Sequence, residues 1–144
     1  MAESALRLKN VTFRYNERGK RNILDDVSLD IPAGRITVLM GSGGCGKSTL
    51  AAVAAGLYPE NGGYLAGGSI ELFGQPLEGM DEQRRAGYLA LMFQNPDLQF
   101  CMDTLGKELR FSLENLAVPR EDMDRRALAA ARALGMEGKL DQKL

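Results

Sequence analysis

The chain has 144 residues, with 18 basic and 19 acidic side chains and a net charge of −1. This length fits one domain or part of one, and the charge balance is too even to attract nucleic acid or an anionic membrane surface. There is no histidine, which excludes histidine catalysis and histidine metal ligands from this chain. The two cysteines match no metal-site spacing and no disulfide framework.

Nothing in the sequence predicts a membrane span or a secretion signal. The longest apolar stretch, residues 50–58, is far too short to cross a bilayer. The first ten residues have no apolar signal core. We therefore expect a cytoplasmic protein.

The first two predicted elements are paired strands. Residues 6–15 alternate apolar and polar side chains with one slip near Asn10, which predicts a strand with one buried face and a bulge. Residues 23–31 repeat the alternation after a polar turn, so we expect them to form the antiparallel partner. Residues 32–34 (PAG) predict a tight turn.

A glycine-rich motif follows a third predicted strand. Residues 35–40 (RITVLM) form an almost unbroken apolar run, typical of a strand buried on both faces in a parallel sheet. Residues 41–49 (GSGGCGKST) satisfy the pattern G-x-x-x-x-G-K-[ST], and residues 47–57 predict a helix. This order of strand, glycine loop and helix is the context that a phosphate-binding loop requires.

Each residue type in the motif suits a nucleoside triphosphate. Glycines let the backbone approach a phosphate closely, and successive N–H groups form an anion nest. Lys47 places a compact positive charge against the β- and γ-phosphates, and the Ser48 hydroxyl is suited to ligate Mg²⁺. We predict Mg²⁺-dependent ATP binding through Gly41, Ser42, Gly43, Gly44, Cys45, Gly46, Lys47, Ser48 and Thr49.

The region after the motif mixes loops and one more apolar run. Residues 58–68 are rich in glycine and predict a loop, followed by a short strand over residues 69–73. Residues 74–85 are polar and predict irregular structure with at most one helical turn. Residues 88–93 (YLALMF) predict a core strand, which ends because Pro96 cannot continue a ladder.

The remainder of the chain has helical periodicity. Leucines recur every three to four residues from Thr104 onward, and a second helix is predicted over residues 120–134, with Gly135 as its C-cap. The second helix has a stripe that we interpret as packing rather than function: Met123, Ala127, Ala130 and Leu134.

Two features resemble the ATPases of ATP-binding-cassette (ABC) transporters. The antiparallel pair ahead of the loop ends in an aromatic, Tyr15, and the resemblance implies that this ring stacks on adenine. Gln94 is similar to the family's Q-loop glutamine, which the resemblance places near Mg²⁺ and the attacking water and in contact with the membrane partner. The implied catalytic residues are Lys47 and Gln94, and the implied metal ligands are Ser48 and Gln94.

A longer match points to one subgroup. The strings FQNPDLQF (residues 93–100) and SLENLAVPREDM (residues 112–123) resemble the ATPase subunits of energy-coupling-factor (ECF) transporters. This resemblance implies a subunit that couples ATP binding and hydrolysis to uptake of a vitamin or metal ion. The implied partners are a second ATPase subunit, identical or different, and a membrane-embedded subunit. The implied location is the inner face of the cell membrane.

The implied fold is α/β: a phosphate-loop NTPase core that is incomplete in these residues. We divide it into an antiparallel β region (1–34), the core (35–94) and the start of a helical subdomain (95–144). The family's serine-glycine-glycine signature, its apolar strand ending in Asp-Glu and its switch histidine are absent from the sequence. We therefore expect the N-terminal part of an ABC ATPase, which alone does not turn over ATP.

Two other functions stay open at this point. Another phosphate-loop enzyme, such as a small-molecule kinase or a GTPase, would need a base-reading or acceptor-binding motif, for instance N-K-x-D, and none is found. A truncated, non-catalytic module that binds ATP or a partner is the stronger alternative, because the catalytic segments are missing.

Overall fold

A computed structural model describes residues 3–58 and 62–144. Their contacts divide them into two units. The first comprises the described residues up to Asp81 together with Tyr88–Leu91, and the second comprises Glu82–Gly87 and Met92–Leu144. The division that we drew at residues 34 and 94 stays a prediction.

The first unit is built on a four-stranded antiparallel sheet with strand order β2-β1-β3-β4. The predicted pairing of the first two strands is confirmed, and β1 is central because β3 pairs with its other side. The strands are β1 (Ser4–Arg14), β2 (Leu24–Pro32), β3 (Tyr64–Leu72) and β4 (Gln75–Pro76).

The predicted slip in β1 is a real irregularity. The register to β2 shifts between Leu8 and Val11, and Asn10 has a φ of 50°. Leu8 and Val11 are three residues apart, so in a regular strand they would face opposite sides, yet both are fully buried. Gly68 of β3 accommodates this distortion, since a Cβ there would lie 2.5 Å from the carbonyl oxygens of Lys9 and Asn10.

One short helix covers the apolar face of the sheet. It is α1 (Lys47–Ala54), which ends three residues before the predicted end at residue 57. Its buried side packs against the strands and joins one apolar core. The buried core residues are Leu8, Val11, Phe13, Leu24, Leu50, Val53, Ala54, Ile70, Leu72 and Leu77.

Two predicted strands are wrong. Residues 35–40 and 88–93 do not form strands, and the first segment is largely exposed, with Ile36 at 95% and Met40 at 85%. A β-strand forms only when another strand exchanges backbone hydrogen bonds with it. An apolar run predicts burial but does not specify that partner, and the described residues provide none for either segment.

The predicted loop over residues 58–68 is also partly wrong, because β3 begins at Tyr64 rather than at residue 69. The glycines there do not prevent pairing: Gly67 is opposite Thr12 and Leu65 is opposite Phe13 in the ladder with β1. Residues 59–61 of the predicted loop lie outside the described residues.

The second unit is helical. The two long predicted helices are confirmed, and the polar region contains one short helix as expected. No helix in residues 3–58 and 62–144 is long and apolar enough to cross a membrane. The elements are α2 (Glu82–Ala86), a 3₁₀ turn (Pro96–Gln99), α3 (Leu105–Asn115), α4 (Arg120–Ala133) and a second 3₁₀ turn (Glu137–Lys139).

The buried stripe of α4 differs from the prediction in its second half. Met123 and Ala127 are buried as expected, but the next buried residue is Ala131, not Ala130. Leu134, which is the C-cap of α4, is 77% exposed. The chain turns away at Gly135, whose φ is +67°, as expected for a glycine ending a helix.

Candidate functional site

The glycine-rich loop enters α1 through a close approach to the start of β2. Gly46 has a φ of +98°, a left-handed conformation that a side chain disfavours. A Cβ at this position would lie 3.3 Å from the Ile23 carbonyl oxygen and 3.4 Å from Leu24 Cδ2. The Leu50 N–H donates to the Gly46 carbonyl at 2.7 Å and makes the first helical hydrogen bond. The sheet therefore fixes where the helix begins.

The N-terminus of α1 has no side-chain cap. Among the described residues, the N–H groups of Gly46, Lys47, Ser48 and Thr49 have no hydrogen-bond partner. Unsatisfied N–H groups at a helix start carry partial positive charge and bind anions. This backbone arrangement suits a phosphate group.

The Lys47 side chain folds back into the loop. Its Nζ donates to the carbonyl oxygens of Gly41 at 2.8 Å and Ser42 at 2.7 Å, and lies 3.6 Å from Cys45 Sγ. A Cβ on Gly41 would lie 2.8 Å from the same sulfur, so a larger residue there would require the Cys45 side chain to move. A phosphate bound here would replace carbonyl oxygens as the acceptors of the ammonium group.

Ser48 and Thr49 differ in exposure. The Ser48 side chain is exposed, whereas Thr49 is buried, with only 9% of its surface exposed. No group of three or more His, Cys, Asp or Glu residues that could hold a metal occurs in the described part of the chain. The loop therefore offers Ser48 as a hydroxyl ligand, which fits Mg²⁺ because this ion keeps water and phosphate oxygens as its other ligands.

Tyr15 directly follows β1, and the structure brings it to the loop helix. Its hydroxyl lies 3.0 Å from Thr49 Oγ1. Its ring packs edge-to-face on Phe13, with centroids 5.2 Å apart and an interplanar angle of 85°, and the residue is 56% exposed. The sequence singled out both Tyr15 and Thr49 but contained no signal for their contact, because they are 34 residues apart.

Gln94 belongs to the second unit, where it is exposed at a bend before the Pro96–Gln99 turn. The Phe93 N–H donates to Gln99 Oε1 at 2.8 Å, which holds this bend closed. At the end of the segment, Glu108 Oε2 accepts hydrogen bonds from the N–H groups of Cys101 at 3.0 Å and Met102 at 2.8 Å. The role of Gln94 near a nucleotide stays a prediction.

Comparison with known proteins decides the family. The model of the family described as ABC transporter matches residues 24–144, which include the whole loop and Gln94. The chain belongs to the ABC transporter family. The predicted resemblance to ABC transporter ATPases is thereby confirmed for the family, while the roles of the individual site residues stay predictions.

Several similar proteins are named as energy-coupling factor transporter ATP-binding proteins, as the subgroup resemblance predicted. The chain is 36% identical over 138 residues to the energy-coupling factor transporter ATP-binding protein EcfA1 of Mycoplasma mobile, covering 96% of this chain and 48% of that protein. It is 38% identical over 139 residues to EcfA1 of Bacillus subtilis, covering 94% and 47%. The putative HMP/thiamine import ATP-binding protein YkoD of Bacillus subtilis is 35% identical over 122 residues, covering 84% and 22%. The chain spans about half the length of its EcfA1 relatives.

A solved ABC structure shows the fold. The ATP-binding cassette MJ0796, solved as a dimer in a post-hydrolysis state bound to ADP and Pi, superposes with a TM-score of 0.73 at 22% identity. The match covers 96% of this chain and 61% of that one. The predicted fold class, an incomplete α/β ABC ATPase core with an antiparallel β subdomain, is confirmed.

Proposed function

We propose that this chain is the ATP-binding part of an ECF-type ABC transporter ATPase, and that the intact subunit couples ATP binding and hydrolysis to uptake of a vitamin or metal ion. The observation that carries the proposal is the uncapped start of α1, where four N–H groups have no described partner and where the first helical residue, Lys47, supplies an ammonium group to the loop. The similarity to proteins named as ECF transporter ATP-binding proteins supports the subgroup.

The loop would hold the triphosphate by charge and by backbone donors. Lys47 exchanges the carbonyl oxygens of Gly41 and Ser42 for oxygens of the β- and γ-phosphates. The N–H groups at the start of α1 donate to the same phosphates. Ser48 contributes its exposed hydroxyl to Mg²⁺, and the ion, when bound, neutralises charge between the phosphates.

Tyr15 would bind the base. More than half of the residue is exposed, and its hydroxyl is anchored at the helix that carries Lys47 and Ser48. A flat aromatic face stacks on adenine with few hydrogen-bond requirements. This assigns the two ends of ATP to one unit of the chain.

Gln94 and the partner subunits complete the proposal. We assign Gln94 to Mg²⁺ and the attacking water, because an amide both accepts and donates hydrogen bonds. A second ATPase subunit and a membrane-embedded subunit at the inner face of the membrane are the partners. The names of the ECF relatives and the dimeric state of the solved cassette support them.

Hydrolysis needs more groups than these 144 residues contain. Phosphoryl transfer depends on positioning and charge stabilisation, to which Lys47, Ser48 and Gln94 contribute only a part. The sequence has no histidine and no apolar strand ending in Asp-Glu. We therefore expect the chain alone to bind ATP without turning it over, and phosphate release should not differ between wild type and Lys47→Ala.

The deciding experiment is calorimetry with Mg-ATP on the wild-type chain and on Lys47→Ala. We expect at least tenfold weaker binding in the variant, since a charged hydrogen bond contributes about 1.5–3 kcal/mol. Lys20→Ala removes an exposed lysine of the same unit outside the loop and should bind like wild type. Unchanged affinity in a folded Lys47→Ala variant would refute the proposed site.

A further inference from the structure

Thr49 is unusual among the polar side chains of this protein. It is the single buried polar or charged residue among those that the structure describes. A buried hydroxyl requires a hydrogen-bond partner, and the partner here is the phenolic oxygen of Tyr15 at 3.0 Å. Thr49 lies in the first turn of α1, two residues after Lys47.

For Tyr15, the same hydrogen bond fixes the orientation of the ring. This residue is 56% exposed, so water could satisfy its hydroxyl equally well. What water cannot do is fix the orientation of the ring. Thr49 holds the hydroxyl end, and the fully buried Phe13 packs against the ring at 85°. With two points of the ring fixed and much of its surface open, Tyr15 is held in one orientation before any ligand binds.

We propose that Thr49 is a positioning residue that holds Tyr15 in place as the platform for adenine. The inference rests on the proposed ATP site and adds a residue that acts on the base through Tyr15. A tyrosine without this contact would sample several rotamers, and immobilising it on binding would weaken affinity by about 2- to 10-fold. The effect concerns ligands that have a base and spares those that have phosphates alone.

This role predicts a split between two probes. Mg-ATP contacts both the loop and the platform, whereas Mg-tripolyphosphate contacts only the loop. Tyr15→Phe removes the Tyr15–Thr49 hydrogen bond without changing the loop, so it should weaken ATP binding and leave tripolyphosphate binding as in wild type. A purely structural defect would weaken the binding of both ligands together.

The experiment measures both affinities by calorimetry on the full chain and on matched variants. Tyr15→Phe keeps the ring and Thr49→Val keeps the shape of the threonine. Each should lower the affinity for ATP by about 2- to 10-fold. The double variant should bind ATP no more weakly than either single one, because both remove the same hydrogen bond. Thr49→Ser keeps the hydroxyl and should retain wild-type affinity.

Tyr88→Phe is the control for loss of a phenol. Tyr88 is 51% exposed and packs on an aromatic neighbour, Phe73, with centroids 5.7 Å apart, so its surroundings resemble those of Tyr15. This variant should bind both ligands like wild type. Equal ATP affinity in Tyr15→Phe and wild type overturns the inference, as does full additivity in the double variant.

The same measurements separate a failure of this inference from a failure of the proposed function. If Thr49→Val weakens ATP and tripolyphosphate equally while Tyr15→Phe changes neither, the loop binds phosphate and the positioning role is wrong. If the wild-type chain binds neither ligand, both the proposed ATP site and this inference are wrong. If Thr49→Val does not fold, the comparison of Tyr15→Phe with Tyr88→Phe decides the question.

Discussion

The two units of this protein are stabilised in different ways. The first has a continuous core in which Phe13, Val11 and Val53 are almost completely inaccessible to solvent. The second buries only four apolar residues outside that core, and α3 contributes none of them. Its contacts include exposed ion pairs such as Arg110–Asp124 at 2.6 Å. The four buried apolar residues of the second unit are Val118, Met123, Ala127 and Ala131.

This difference matches the chemistry that we assign to each unit. A phosphate site needs N–H groups and a charge held in fixed positions, and close packing of α1 on the sheet provides this. Gln94 lies instead in an exposed segment whose described contacts are a few hydrogen bonds. Segments with little buried apolar surface open locally at low free energy. The sheet unit is thus suited to hold ATP, and the Gln94 segment is suited to adapt to a ligand or partner.

The largest expected effect comes from comparing core truncations. Phe13→Ala should lower the free energy of unfolding by about 3–5 kcal/mol, because it removes a large side chain from the centre of the first unit. Met123→Ala should cost about 2 kcal/mol, since its surroundings are less densely packed. Urea unfolding of both variants measures the difference. Equal losses would show that the second unit is packed as well as the first.

Local sequence patterns predicted much of the first unit and of the helices. The alternation in residues 6–15 predicted both the pairing of β1 with β2 and the irregularity near Asn10, because side-chain facing in a strand has a period of two. The loop was predicted from a motif whose glycine and lysine have defined physical tasks, and the structure places Lys47 within the loop. The helices were predicted because their periodicity is also local.

Features that depend on distant residues were not predicted. Residues 35–40 and 88–93 were expected to be strands from their apolar character, but strand formation depends on a pairing partner that the run itself does not encode. The hydrogen bond between Tyr15 and Thr49 joins residues 34 positions apart. No spacing rule connects a strand end to a helix start, so this contact required the structure.

A smaller effect tests whether the Gln94 segment is held mainly by hydrogen bonds. Glu108→Ala removes the acceptor of the Cys101 and Met102 N–H groups and should lower the free energy of local opening by about 1–2 kcal/mol. Amide hydrogen exchange at these two residues measures it. Glu108→Gln keeps an oxygen acceptor and should retain most of the protection. Unchanged exchange in Glu108→Ala would mean that packing, not the carboxylate, holds the segment.

The smallest expected effect compares exposed carboxylates of the two units. Hydrogen bonds from Ser4 at 2.6 Å and Arg7 at 2.8 Å lower the pKa of Asp30 below its ordinary value of 3.8. In α4, a hydrogen bond from Arg125 lowers the pKa of Asp122 in the same direction. Because both pKa values are depressed on folding, each carboxylate stabilises the protein above pH 3.8, and this stabilisation is lost as the pH falls through the lower, folded-state pKa.

The two pairs differ in what they join. Asp30 and its partners connect β2 to β1 across more than twenty residues, whereas Asp122 and Arg125 are three residues apart on one helix. The long-range pair is present only when the sheet is formed, while a local pair also forms in partly helical unfolded chains. Asp30→Asn should therefore flatten the acid limb of a stability–pH curve more than Asp122→Asn does, with both effects small because the groups are exposed. Equal changes in the two variants would show that the linkage between strands adds nothing beyond a local ion pair.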